Sequence, residues 1–222
     1  MIHTFRLIAE GKTDLYVIEN ILVGLLGEDN IDVIDLSPLR NAKANENFSN
    51  WEKVLEYCTQ PEFAQAFQTE GFVVIQIDTD VSEQKGFEVF KYRGNIEKEL
   101  TVIQLVEKVK EKIIAEKITN EIYEQHKDRI IFAIAVDSIE CWLLPLYFEK
   151  ESDKSQILNC LDRLNRGLAK QNLATISVNK DPYHYNSLSL PYTKSKTLQS
   201  CYTENPSLYF FVEELKHKVI GQ

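Results

Sequence analysis

The chain has 222 residues, a formal net charge of −9 and 44% hydrophobic residues. That length and apolar content suit one large domain, or a compact domain with an added lobe, built around a sizeable core. The acidic balance argues against bulk electrostatic coating of nucleic acid, but not against an enzyme that holds phosphates through a local basic patch and bound metal. No apolar run approaches the ~20 residues that span a bilayer, and the opening MIHTFRLIAEGKTD reaches an acidic residue too early for a signal peptide. Cys58, Cys141, Cys160 and Cys201 are scattered, without a CxxC spacing or nearby histidine pairs. They predict neither a disulfide framework nor a zinc knuckle, and a reducing cytoplasm is the expected compartment.

In chain order, residues 3–10 (HTFRLIAE) read as a strand ending on a carboxylate. A helix is predicted from Asp14 to about Leu26, with Leu15, Ile18, Ile21, Leu22, Leu25 and Leu26 on one face and Gly27 as its stop. Residues 32–36 form a short second strand, NAKANENFSN an exposed loop, and Trp51 to Gln68 a helical region broken at Pro61. The run FVVIQI at 72–77 is the clearest strand; its unbroken apolar character suits a central strand covered on both faces. It ends directly in Asp78-Thr79-Asp80. Residues 81–96 carry little periodicity and read as a mobile loop, followed by a long helix from about Lys98 to Gln125 with Leu100, Ile103, Val106, Val109 and Ile113 as its stripe.

IIFAIAV at 130–136 is another buried strand, ending at Asp137. SIECWLLPLYF should be helical up to or through Pro145, and 154–170 should form an amphipathic helix. The stretch 176–197, proline-bearing and tyrosine-rich, reads as irregular, and a last helix runs from about Ser207 to Val219. Strands alternating with helices imply an α/β fold with a mainly parallel central sheet. We assign 1–150 to the core and 151–222 to a helical or irregular extension packed on it as one compact unit.

Sites in such sheets form outside the carboxyl ends of the strands, and three predicted strands end on acids, Glu10, Asp78 and Asp137. Asp78 and Asp80 flank one residue, so they repel unless a cation intervenes, and magnesium accepts such carboxylates. Aspartate is also favoured in a solvated turn after a strand; Glu10 at a neighbouring strand end tips the reading toward a metal site. Gly11-Lys12-Thr13 invites comparison with a phosphate-binding loop. That motif needs a glycine five positions earlier, where Arg6 stands, and Glu10 would repel the phosphate. Asp137 and Glu140 have the spacing of a capping box, and capping is the simpler role for Asp137. Glu140, beside Cys141, Trp142 and two leucines, reads equally as a functional or a structural acid. Lys180, His184, Lys194 and Lys196, interleaved with Tyr183, Tyr185 and Tyr192, read as a phosphate-binding, base-stacking segment or as a surface loop with buried tyrosines.

The order Glu10-Gly11 after a first strand and Asp78-x-Asp80 after a later one resembles the Toprim domain. With EGKTDLYVIENIL, VVIQIDTD, IECWLL and PYTKSKTL the likeness extends over most of the chain. It is similar to small bacterial Toprim-like proteins and to Toprim effector nucleases of anti-phage defence: the overcoming-lysogenization-defect class, the effector subunit of PARIS, and RloB-type proteins. The resemblance implies a Rossmannoid three-layer fold and a cytoplasmic nuclease acting on DNA or RNA, a tRNA included, as a toxic effector. It implies Glu10 as metal ligand or general base, Asp78 and Asp80 as ligands of Mg2+ or Mn2+, and Glu140 as a further member of the cluster. Lys194, and less firmly Lys196, would contact phosphate, with Lys12 or Lys194 offsetting transition-state charge. Glu83 stands near, but not at, the place of a third acid that some Toprim proteins carry after the aspartate pair. The implied partners are a nucleic acid substrate, a second copy or hetero-complex, and a partner ATPase. Two other readings stand beside this one: a non-catalytic metal- or nucleotide-binding subunit regulating such an ATPase, and an ATP-dependent phosphotransferase using Gly11-Lys12-Thr13.

Overall fold

The computed structural model describes residues 2–41, 49–93 and 96–221, with the backbone alone at 92, 93 and 96–99. Four strands, β1 (His3–Ile8), β2 (Ile31–Ser37), β3 (Phe72–Asp78) and β6 (Ile130–Ala135), form one all-parallel sheet in the order β2-β1-β3-β6. The chain steps from β1 to one side, then returns past it to β3 on the other, so the strand order reverses between β1 and β3. A crevice forms at such a reversal, outside the carboxyl ends of the strands. Here the reversal falls between the exits of β1 and β3.

Alternate side chains of the buried strands feed two apolar layers. Phe5, Leu7, Phe72, Val74, Ile131 and Ala133 face one layer with α1 (Lys12–Leu26), α6 (Glu140–Tyr147) and the C-terminal helices. Ile8, Val73, Ile75, Ile77, Phe132 and Ile134 face the other. That second layer is completed by α2 (Trp51–Tyr57), α3 (Pro61–Gln65), α4 (Val102–Glu116) and α5 (Asn120–His126). The expected mixed α/β architecture with a parallel sheet is what forms.

Several boundaries differ from the sequence reading. The long helix expected from Lys98 is replaced by a short antiparallel ladder, β4 (Tyr92–Arg93) with β5 (Ile96–Glu99), and then α4 and α5. Thr101 starts α4 with a reciprocal capping box to Gln104, and Thr119 caps α5 in turn. Ile103 is therefore exposed, while Leu100 is buried ahead of the helix. The helix expected over 154–170 becomes a single turn, α7 (Glu151–Lys154), and α8 (Cys160–Lys170).

The stretch read as irregular holds α9 (Pro182–Ser189), a 3-10 turn (Leu190–Thr193) and α10 (Ser195–Cys201). Packing against α1 makes these helices, not their own periodicity. The buried Asn20 amide donates to Ser189 Oγ at 2.7 Å and to Asn186 Oδ1 at 3.0 Å. Gly24 lets the Tyr192 carbonyl approach where any Cβ would lie 1.9 Å from that oxygen. The chain closes with α11 (Pro206–Leu215), whose Phe211 stacks on Trp142. The loop predicted over 41–50 falls mostly outside the described residues, as do 94 and 95 of the loop predicted over 81–96.

One expectation about the cysteines is corrected: Cys141 and Cys160 form a disulfide that ties α6 to α8, while Cys58 and Cys201 are free. The two sit 19 residues apart, and no sequence spacing rule singles out that pair. Among the described residues no helix is long and apolar enough to cross a membrane.

Candidate active site

The polar junction at the crevice starts inside the sheet. Gln76 is a fully buried amide in the apolar run of β3. Its Oε1 accepts the Glu10 backbone N–H at 2.9 Å, and its Nε2 donates to Asp78 Oδ1 at 2.8 Å. The Asp78 backbone N–H donates to Glu10 Oε1 at 2.7 Å. The two strand exits are thus cross-linked by a closed set of hydrogen bonds, which orients both carboxylates toward the same space.

A third exit braces this junction. Asp137, after β6, adopts the left-handed conformation that aspartate tolerates better than most residues (φ 67°). Its carbonyl accepts the N–H groups of Thr79 at 3.1 Å and Asp80 at 2.9 Å, and its own N–H donates to Thr79 Oγ1 at 2.9 Å. The carboxylate of Asp137 accepts the Cys160 N–H at 3.1 Å. It therefore caps α8, not α6, which corrects the expected capping box: Glu140 is the first residue of α6, and Ile139 is its N-cap.

Glu140 is fully buried. Its Oε1 pairs with Lys180 Nζ at 2.7 Å and accepts the Tyr185 hydroxyl in a short hydrogen bond. Its Oε2 is buried without a hydrogen bond among the described residues. Asp14, in the first turn of α1, is buried as well and accepts the Thr13 hydroxyl at 3.1 Å.

Crowding and burial act together on the charges. Desolvation, with further repulsion from Asp14 and Asp80, pushes the Glu10 carboxyl up to about 8 despite the Asp78 N–H and Lys180. Desolvation and the Glu140 charge raise Asp14 to about 7. Burial, then Asp14, Glu10 and Glu140, hold Asp78 well above the usual carboxylate range, and Asp80 is raised mainly by burial. Glu140 is the exception. Burial opposes its ionisation, but Lys180, with Ser138 and Tyr185 assisting, holds it below the ordinary value. The Tyr185 phenol, desolvated beside that carboxylate, is held in its protonated form.

Of the residues expected from the sequence, Glu10, Asp78, Asp80 and Glu140 are brought together. Lys12 Nζ donates to the Arg40 carbonyl at 3.0 Å. Lys194 is exposed and starts α10, which packs beside Gly24 in the last turn of α1. At 1.5 Å per residue that turn is about 15 Å along α1 from Asp14. The lysine standing on the carboxylates is Lys180. Lys196 is exposed like Lys194, and Glu83 accepts the Lys91 N–H at 2.9 Å, bracing its own loop.

Sequence reasoning missed Asp14 and Gln76, and left Lys180 and Tyr185 in a segment read either as phosphate-binding and base-stacking or as a surface loop with buried tyrosines. One signal was legible: Gln76 is the one polar residue inside an apolar strand. The local pattern around Lys180 and Tyr185 does not show that they meet Glu140.

By chemistry the donor set suits a hard divalent cation, although among the described residues no three of these carboxylates bring ligand oxygens within 4.8 Å of one another. Five carboxylates supply oxygen ligands, which magnesium and manganese prefer. Crowded carboxyls held protonated near neutral pH, and the unpaired Glu140 Oε2, are the groups a cation would satisfy. No protein-family model matches the chain, and comparison with curated proteins and with solved structures likewise returns no match.

Proposed function

We propose that the chain is a Mg2+- or Mn2+-dependent nuclease that cleaves phosphodiester bonds at the acidic crevice. The observation that carries this reading is the convergence of Glu10, Asp14, Asp78, Asp80 and Glu140, with Lys180, at the point where the strand order reverses. A cation held there by Asp78, Asp80 and Glu10 would supply charge stabilisation at a phosphodiester. In the alternative role of general base, Glu10 would take a proton from the attacking water. The Asp78 N–H and Gln76 keep it in position. Lys180 offsets developing negative charge on the phosphate, and Tyr185 and Glu140 hold its ammonium in place.

The sequence likeness to Toprim effectors of anti-phage defence supports nucleic acid as substrate, a toxic role and a partner ATPase. A cytoplasmic setting, which that role implies, would keep Cys141 and Cys160 as thiols. The decisive experiment incubates the purified chain with plasmid, tRNA and single-stranded oligonucleotides in Mg2+ or Mn2+. Cleavage should appear, and should vanish in Glu10→Gln and Asp78→Asn. Cleavage that survives both substitutions, or is absent from all substrates with either metal, overturns the reading. The Lys180–Glu140 pair favours one second reading, a non-catalytic metal-binding subunit, because an internal cation already neutralises part of the cluster. Saturable metal binding without cleavage is its signature.

A further inference from the structure

On a chain of net charge −9, one cleft is basic. Arg163, Arg166 and Lys170 lie along one side of α8, and with Phe148 and the carboxylate of Asp153 they line an open cleft of about 210 Å³. A neighbouring depression adds Lys150 and Glu149 and shares Phe148, Asp153 and Lys170. Arg163 spends its Nε on the Leu158 carbonyl at 3.0 Å, while Arg166 and Lys170 make no ion pair among the described residues. Like charges three and four residues apart disfavour a helix, so this row costs the fold something, and the only internal contact it returns among the described residues is that of Arg163 with the Leu158 carbonyl. Gly167 completes the wall: any Cβ there would meet the Phe148 ring at 2.8 Å, so glycine lets that ring lie against α8 at the floor of the cleft.

The row also has a direction. The first residue of α8 is bonded to Cys141, next to Glu140, and its N–H is held by Asp137, whose carbonyl carries Thr79 and Asp80. From that end, Arg163, Arg166 and Lys170 recede along the helix by about 5, 9 and 15 Å at 1.5 Å per residue. Cations strung outward from a phosphodiester-cleaving centre match successive phosphates of one strand.

We infer that the α8 cleft binds the phosphate backbone of a nucleic acid strand several nucleotides from the scissile bond, with Arg166 and Lys170 as the principal contacts. The inference rests on the nuclease reading for its substrate but not for its test. Binding of a fluorescent single-stranded oligonucleotide is followed by anisotropy in Mg2+ across a salt series, using full-length protein carrying Glu10→Gln to suppress cleavage. Arg166→Gln with Lys170→Gln, both exposed positions, should weaken binding at least ~10-fold near 0.1 M salt. It should also lower the slope of log affinity against log salt by about 1.4, some 0.7 per lost contact. Arg166→Lys should keep the slope.

Unchanged affinity and slope in the double variant overturn the inference, even if wild-type protein cleaves. A reduced slope from a protein that cleaves nothing supports the cleft while the nuclease reading falls. Inorganic phosphate is the second arm. If it binds the parent, loses binding in the double variant, and oligonucleotide binding stays the same, the cleft is a site for a free phosphate compound and the backbone assignment fails.

Discussion

Raising the pH of the metal-free protein should destabilise it across a range where most proteins are indifferent. The folded Glu10 carboxyl lies at about 8 against an ordinary 4.5, chiefly because burial penalises its charge. A carboxyl raised in the folded state binds its proton more tightly there than when unfolded. Its contribution to stability is therefore complete below about 4.5 and is lost as pH climbs through about 8. At 1.36 kcal/mol per pKa unit, Glu10 alone sets an upper bound of about 5 kcal/mol. Water entering the crevice as the group ionises brings the expected loss to about 2–3 kcal/mol. For a chain of this length each kcal/mol moves Tm by roughly 2–4 °C, so a fall of about 5–10 °C between pH 5 and pH 8.5 is the expected reading by calorimetry in EDTA. Asp14, raised to about 7, acts in the same direction. Glu140, lowered, contributes a constant amount above pH 5. His126, lowered by burial and the nearby Arg129, opposes the trend and is only half-buried. Glu10→Gln should flatten most of the slope, and on the proposed metal-site reading Mg2+ should restore Tm at pH 8. A Tm that is flat or rising from pH 5 to 8.5 in EDTA would refute the picture of crowded, desolvated carboxyls.

Two further outcomes follow from single contacts. Lys180→Met strips the buried Glu140 of its ion-pair partner; because the Lys180 side chain is 43% exposed, the cost should be about 2 kcal/mol and not the several expected of a fully buried pair. A urea double-mutant cycle with Glu140→Gln reads it, and additive effects would contradict the pairing. Cys141→Ser with Cys160→Ser opens a loop of 19 residues and should cost about 3 kcal/mol, matched by the loss on adding reductant to the wild type; equal stability with and without reductant would show that the bond does not persist in solution.

Much of the sheet was legible because β3 and β6 are short, almost wholly apolar runs, which a doubly covered parallel sheet accommodates. FVVIQI stopping on Asp78 and HTFRLI stopping just before Glu10 declared both the strands and the acids at their exits. Where the reading failed, the missing information was not local. The stretch 176–197 has the prolines and tyrosines of a loop, yet it folds into helices because Asn20, Gly24 and the apolar face of α1 offer it partners. The predicted single helix after residue 98 divides because Thr101 and Thr119 each find backbone donors to cap, and Thr119 does so in mid-pattern.

The sequence by itself determined the alternation of strands and helices and the carboxylates that leave β1 and β3. Periodicity and strand termination are properties of neighbouring residues, so they can be read along the chain. Tertiary structure alone decided that Asp14 faces the same space as Asp78, that Lys180 and not Lys194 stands on the carboxylates, and that Cys141 meets Cys160. Each joins residues from separate elements, whose approach depends on how α1, α6, α8 and the segment before α9 pack over the sheet. Local pattern holds no term for that packing.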